Sequence, residues 1–242
     1  MDKKSLLHNG KSKQIFSTES ENFIIMSYKD DETAYYGVKK GVIPNKGILN
    51  NKISSLLFKY LGDNGVYTHF IDRVSDNEQL CRRAKAIPLE FIVRNVIAGT
   101  LARRLDIEEG FVPKETIYEI CLKNDILRDP LINHYHAVAL GYADNQTLIQ
   151  AKEAATKINS LLSDLFGRVN IKLIDFKLEF GFDSDGKVML IDEISPDTAR
   201  FWDSDSFEKL DKDVFRRDLG DVESAYREVL TRLESILDNG QE

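Results

Sequence analysis

The sequence is short of cysteine, of long apolar runs and of net basic charge, and each shortage closes off a class of protein. Cys81 and Cys121 are the only cysteines among 242 residues. They are too few and too far apart for a thiolate zinc site, and in a reducing compartment they are expected to stay unpaired. No apolar run exceeds about four residues, Phe23 to Met26 being typical, and mean hydropathy is −0.32; this excludes a transmembrane helix. Met1-Asp2-Lys3-Lys4-Ser5 leads straight into Leu6-Leu7-His8, without the roughly seven or more apolar residues of a secretory signal. Lys plus Arg number 33 against 40 Asp plus Glu, a net charge of −7, which argues against a nucleic-acid grip built on bulk charge. The expectation is a cytoplasmic protein with neither a membrane nor a nucleic-acid partner.

What is present is a 27.6 kDa chain, 42% apolar, able to bury a sizeable core as one large domain or two lobes. Strand-like stretches at 6–9, 14–17, 23–28, 67–74 and 79–83 surround one helix, in which Leu49, Ile53, Leu56, Leu57 and Tyr60 share a face and Gly62-Asp63-Asn64-Gly65 ends the run. Pro88 interrupts the pattern before an apolar strand, 89–97, that carries Arg94-Asn95, and a lobe boundary is placed there. A helix over 145–166, strands over 171–180 and 187–194 joined through Asp183-Ser184-Asp185-Gly186, and a helix over 221–237 complete the reading.

In Asp175-Phe176-Lys177-Leu178-Glu179-Phe180 the period of two puts Asp175, Lys177 and Glu179 on one face. A loop symmetric about Asp185-Gly186 sets Glu179 directly opposite Asp192. Such a strand pair is ordinarily a wet sheet face. Two carboxylates in one small volume, however, call for a cation, either Lys177 or a hard divalent ion such as Mg²⁺ held together with substrate phosphates. No histidine or cysteine is near, which disfavours zinc. Glu193 to Asp203 then reads as a ligand-positioning loop or a capped turn, with Arg200 able to grip a carboxylate or phosphate bidentately.

Asn9-Gly10-Lys11-Ser12-Lys13 is either a surface turn or a loop whose two lysines lean toward one phosphate chain; it is not a Walker A loop. Arg94, Arg103 and Arg104 cluster around Gly99 and Thr100, and Arg103 and Arg104 serve either an anionic substrate or surface pairs with Glu108 and Glu109. Lys123-Asn124-Asp125 is a further polar cluster. His134 and His136 lack a carboxylate at ligand spacing and read as structural or exposed.

Taken in order, Gly10-Lys11-Ser12-Lys13, Lys46-Gly47, Asn50-Asn51-Lys52-Ile53-Ser54, Pro88-Leu89-Glu90, Val93-Arg94-Asn95, Ala98-Gly99-Thr100-Leu101, Ile107-Glu108-Glu109-Gly110, Lys123-Asn124-Asp125, Asp175 to Gly181 and Asp192 to Thr198 resemble the SAICAR synthetase family of purine biosynthesis across nearly the whole chain. The resemblance implies an α+β fold of two lobes, 1–87 and 88–242, built of antiparallel sheets with flanking helices and related to ATP-grasp enzymes and protein kinases. It implies a homodimer, ATP with Mg²⁺, and the joining of L-aspartate to carboxyaminoimidazole ribonucleotide (CAIR). It places Gly10, Lys11, Ser12, Lys13 and Lys123 at ATP, Glu179 and Asp192 at the metal, and Lys177 with Asp175 at the reacting groups. Arg94, Thr100, Asp197 and Arg200 fall to the nucleotide substrate, and Lys212 and Arg216 to positive charge facing aspartate. Tyr36 stands where some relatives carry aspartate and many asparagine, so no carboxylate contact is expected there. A small-molecule kinase of similar fold and a non-catalytic nucleotide-binding module are the competing readings. The ligands are all anions, so the expectation is a basic cleft inside an acidic shell.

Overall fold

The computed structural model describes residues 2–237, the side chain of Tyr36 excepted; the expectation about that side chain therefore lies outside the described residues. The chain begins with β1 (Leu6–Asn9), β2 (Lys13–Ser17) and β3 (Phe23–Tyr28), followed by a small hairpin of β4 (Asp31–Ala34) and β5 (Lys39–Val42). Helix α1 (Lys46–Asp63) follows, then β6 (Phe70–Ser75) and β7 (Glu78–Arg82). These strands form a five-stranded sheet in the order β1-β2-β3-β7-β6, with β4 and β5 paired apart from it. At the start of α1, a Cβ on Gly47 would come within 2.9 Å of the Tyr28 carbonyl oxygen, so only glycine lets the helix lie this close to β3. Leu49, Ile53 and Leu57 of the predicted stripe are buried and Leu56 and Tyr60 partly so, and Phe58, Asn50, Asn51 and Ser54 are buried too, so α1 is covered on more than one face.

The second sheet starts at once with β8 (Lys85–Arg94), then α2 (Gly99–Leu105), β9 (Ile117–Leu122), β10 (Leu131–Ile132), α3 (His134–Ala139), α4 (Asn145–Gly167), β11 (Ile171–Phe182), β12 (Val188–Ile191), β13 (Ala199–Asp203), α5 (Asp213–Arg217) and α6 (Val222–Leu237). Its strands run β10-β9-β8-β11-β12, with β13 also on β11. The sheets change over between Arg82 and Lys85, so Pro88 lies inside a strand rather than between elements. The long apolar face of α4, Leu148 through Leu165, covers this sheet, and the Asp144 side chain caps the helix by accepting from the Thr147 N–H at 2.7 Å. One hydrophobic cluster joins Ile53 and Leu57 of α1 to Leu162, Phe176, Phe201 and Val229. Helix α1 thus lies between the two sheets: its Asn51 bonds to the β6–β7 hairpin, while its apolar residues join the core shared with the second sheet and α6. All strand pairs are antiparallel, the α+β class expected.

Strand β11 positions the site. Along one edge Asp175 to Phe182 pair with β8; along the other, Ile171 to Phe176 pair with β13 and Glu179 to Phe182 with β12. Between these two partners the edge opens, and the Ser195–Thr198 turn fills the gap, the Thr198 carbonyl accepting from the Lys177 N–H at 2.9 Å.

Candidate functional site

Every residue that the resemblance assigns to a ligand lines one cleft of about 560 Å³ between the two sheets, whereas Arg104, His134 and His136 lie outside it. Its floor is the predicted face of β11. Antiparallel pairing sets Arg94 of β8 opposite Asp175, Ile92 opposite Lys177, and Glu90 opposite Glu179.

At one end Asp175, 3% exposed, lies between two arginines. Arg94 donates to it at 2.7 Å and Arg200 at 2.9 Å, while Arg94 also donates to Glu119 and Arg200 to Asp213. Burial opposes the Arg200 charge, but Asp175 and Asp213 hold it firmly protonated. Gly99 makes room for this fork: its φ is +58°, and a Cβ there would sit 2.3 Å from an Arg200 Nη. Thr100 and Arg216 line the same end, Arg216 donating to Asp213 at 2.6 Å.

At the other end Lys177 Nζ lies 2.6 Å from Glu179, 3.1 Å from Glu90 and 3.4 Å from Asp192. Burial alone would lower the lysine pKa, but Asp192, Glu179 and Glu90 raise it well above its usual value. Lys123 pairs with Glu179, and Lys13 with Asp192 and Glu193. Burial would raise the Asp192 carboxyl, yet Lys13, Lys177 and Lys123 hold it far below the carboxylate range. Buried His69, lowered to about 4 by desolvation, is neutral and approaches the Asp192 carbonyl at 3.1 Å.

The carboxylate pair forms, but by another route than the symmetric hairpin. Glu179 faces Ile191, one residue short of the expected register. In continuous strand this slip would turn Asp192 to the opposite face. Strand β12 ends at Ile191 instead, and Asp192 takes φ +67°, a left-handed kink that swings its side chain back over the floor.

Other expectations also change. Lys11 and Lys13 do not converge: Lys11 reaches across the cleft to Asp125 at 2.5 Å, whereas Lys13 turns inward to Asp192. Arg104 pairs with Glu119 rather than Glu108, and Glu109 pairs with Arg217. His134 and His136, read as structural or exposed, keep that character: both lie on α3, where exposed His136 closes a capping box with Asn133. The cleft is not simply basic, since Glu32, Glu90, Asp175, Glu193 and Asp213 stand among its cations. It is a nearly balanced lattice of paired charges.

The sequence reading missed Glu32, Glu90 and Lys46. Lys46 Nζ, 1% exposed, sits 2.6 Å from Asp197 and 3.5 Å from Glu32, and Lys212 reaches Glu32 at 2.6 Å. The one available signal was a lysine directly before a glycine at a helix start, which also describes an ordinary surface residue.

Among the described residues no three His, Cys, Asp or Glu side chains form a ready-made metal cage. Glu179 and Asp192 offer oxygen ligands only, converging on one ammonium. That donor set fits a hard ion completing its shell with phosphate oxygens and water.

The SAICAR synthetase family model matches residues 6–233. A phosphoribosylaminoimidazole-succinocarboxamide synthase of Clostridium botulinum is 53% identical over 233 residues, 96% of this chain and 99% of its own. The crystal structure of the synthase of that name from Ehrlichia chaffeensis superposes with a TM-score of 0.94 at 43% identity, covering 96% of this chain and 99% of the other. A SAICAR synthetase in complex with ADP gives 0.92 at 44% identity, covering 94% and 97%. The chain belongs to the SAICAR synthetase family.

Proposed function

We infer that this enzyme is an ATP-dependent carbon–nitrogen ligase of purine biosynthesis that joins L-aspartate to the carboxylate of CAIR, giving SAICAR, ADP and phosphate. The observation that carries the reading is the floor of the cleft, where one strand offers Asp175 to two arginines and Glu179 to two lysines, with Lys177 between. A free carboxylate is a poor acyl donor, because oxide would have to leave. Transfer of the γ-phosphoryl to a CAIR carboxylate oxygen converts that leaving group to phosphate. The aspartate amine then forms the new C–N bond as the C–O bond to phosphate breaks.

The end bearing Arg94, Thr100 and Arg200 suits the nucleotide substrate, since guanidinium forks match phosphate and carboxylate geometry. Gly10 to Lys13 and Lys123 suit the phosphates of ATP. Lys177, held protonated by three carboxylates, serves as a fixed positive charge rather than a base, facing the phosphoryl group as charge redistributes during transfer. Asp175 orients both arginines. Asp197, Lys212 and Arg216 suit the remaining substrate charges. Glu179 and Asp192 would hold Mg²⁺, which would neutralise phosphate charge; Lys13, Lys123 and Lys177 pair with the same two carboxylates and stand beside that position. We read 1–87 and 88–242 as lobes closing on ATP, the changeover of sheets near Arg82 supporting that division. We also read the enzyme as a cytoplasmic homodimer, which light scattering tests.

The decisive assay supplies CAIR, ATP and L-aspartate and follows SAICAR and ADP. SAICAR formation dependent on all three is expected. A stable phosphorylated product made without aspartate would instead define a small-molecule kinase, and ADP binding without turnover a non-catalytic module.

A further inference from the structure

We propose that Lys46, which does not line the cleft, is a positioning residue that sets the Ser195–Thr198 turn and Lys212 for substrate binding; this rests on the ligase reading above. A lysine buried to 1% exposure on a helix must be compensated. Here two carboxylates do so, Asp197 at 2.6 Å and Glu32 at 3.5 Å. Each is itself tied onward. The other oxygen of Asp197 accepts from the hydroxyl of fully buried Tyr226 on α6 at 2.7 Å, and the other oxygen of Glu32 pairs with Lys212 at 2.6 Å. The ring is reinforced by the Lys212 N–H, which donates to the Pro196 carbonyl at 3.0 Å. Glu32 Oε2 makes no hydrogen bond, so the Lys46 ammonium is the charge that faces it.

This network joins β4, the first residue of α1, the turn that fills the open edge of β11, and α6. From it, contacts lead to both ends of the floor, at the arginine end through the Arg216 N–H, which donates to the Lys212 carbonyl at 3.0 Å, and at the lysine end through the turn. The turn receives the Lys177 N–H through Thr198, and Ser195 Oγ donates to Glu193, the partner of Lys13. Lys46 therefore acts at a distance: without it, Asp197 and Lys212 lose the fixed relation in which they enter the cleft. Misplacement of such groups by about 1 Å costs roughly a hundredfold in rate when they orient a reactant.

The test compares K46M with the charge-balanced K46M/E32Q and the milder Y226F, measuring Tm, ADP affinity by calorimetry and the KM for CAIR and aspartate. K46M is expected to lose stability, since two buried carboxylates then share Lys212. K46M/E32Q is expected to recover Tm yet keep substrate KM values raised about tenfold or more, with ADP affinity within about threefold of wild type. Y226F is expected to fold and raise substrate KM about threefold. Recovery of KM together with Tm in the double variant would make Lys46 a charge-balancing residue only and overturn the proposal. So would parallel loss of ADP affinity, or unchanged KM in Y226F should the lysine variants not fold. Failure of the wild type to make SAICAR would instead sink the ligase reading.

Discussion

Asp175 and Glu179 stand four residues apart on the same face of β11, each almost fully buried and each bridged to two cations, yet their surroundings differ in kind. Asp175 is gripped by Arg94 and Arg200, whose guanidiniums are fixed in turn by Glu119 and Asp213. Glu179 meets Lys123 and Lys177, two flexible ammoniums, of which Lys123 is half exposed. A planar fork held at both edges preserves an orientation, whereas a lysine is a mobile point charge that can exchange one oxygen for another. The arginine end is thus preorganised for a ligand of definite shape. On the proposed function, the lysine end would trade carboxylates for phosphates and a metal ion. Damage at the two ends should therefore separate by substrate.

The largest effect is expected at the residue between them. Lys177→Met removes the cation nearest both ends and should lower kcat by about a thousandfold, the scale of losing one preorganised electrostatic contact in a transition state, while ADP binding persists. Retention of more than a tenth of the activity would remove Lys177 from the chemistry. Next, Glu179→Gln or Asp192→Asn should cost about a hundredfold or more in turnover and raise the Mg²⁺ concentration needed for half-maximal rate. The CAIR KM should change little, and an unaltered Mg²⁺ requirement in both variants would erase the distinction between the ends. Third, Arg200→Lys should raise the CAIR KM about tenfold or more with Mg²⁺ dependence intact, since one ammonium cannot replace a fork that spans Asp175 and Asp213. An unchanged CAIR KM would move that substrate elsewhere in the cleft.

How far this contrast was legible beforehand depends on sequence distance. The alternation of Asp175, Lys177 and Glu179 is local, so a period of two was enough to place them together. The helices at 46–63, 145–167 and 222–237 were likewise readable from apolar spacing. Asp192 was placed correctly from a wrong register, because hairpin symmetry cannot anticipate a left-handed residue at the strand end. The partners of Lys46 and Arg94 lie 151 and 81 residues away; Arg94 stood out because it interrupts an apolar strand, whereas nothing near Lys46 in sequence distinguishes a buried, paired cation from a solvated one. Pro88, read as an interruption, lies inside β8, because proline is tolerated within that strand.

The smallest and sharpest intervention touches the arginine end without altering any charge. Gly99→Ala adds one methyl to a residue with φ +58°, where an L side chain costs about 1–2 kcal/mol. The added carbon also lands 2.3 Å from an Nη of Arg200 and 2.7 Å from its Cζ. A free arginine would simply swing away, but Asp175 and Asp213 hold this one on two sides, so relief must come from loosening one of those bonds. We expect a stability loss of about 1–2 kcal/mol by denaturant titration, and a severalfold rise in CAIR KM as the fork tilts. ADP affinity and the Mg²⁺ requirement should stay at wild-type values, because Glu179, Asp192 and their lysines do not touch Gly99. A matching loss of ADP affinity would mean that strain crosses the floor, and the two ends of β11 would have to be treated as one rigid unit.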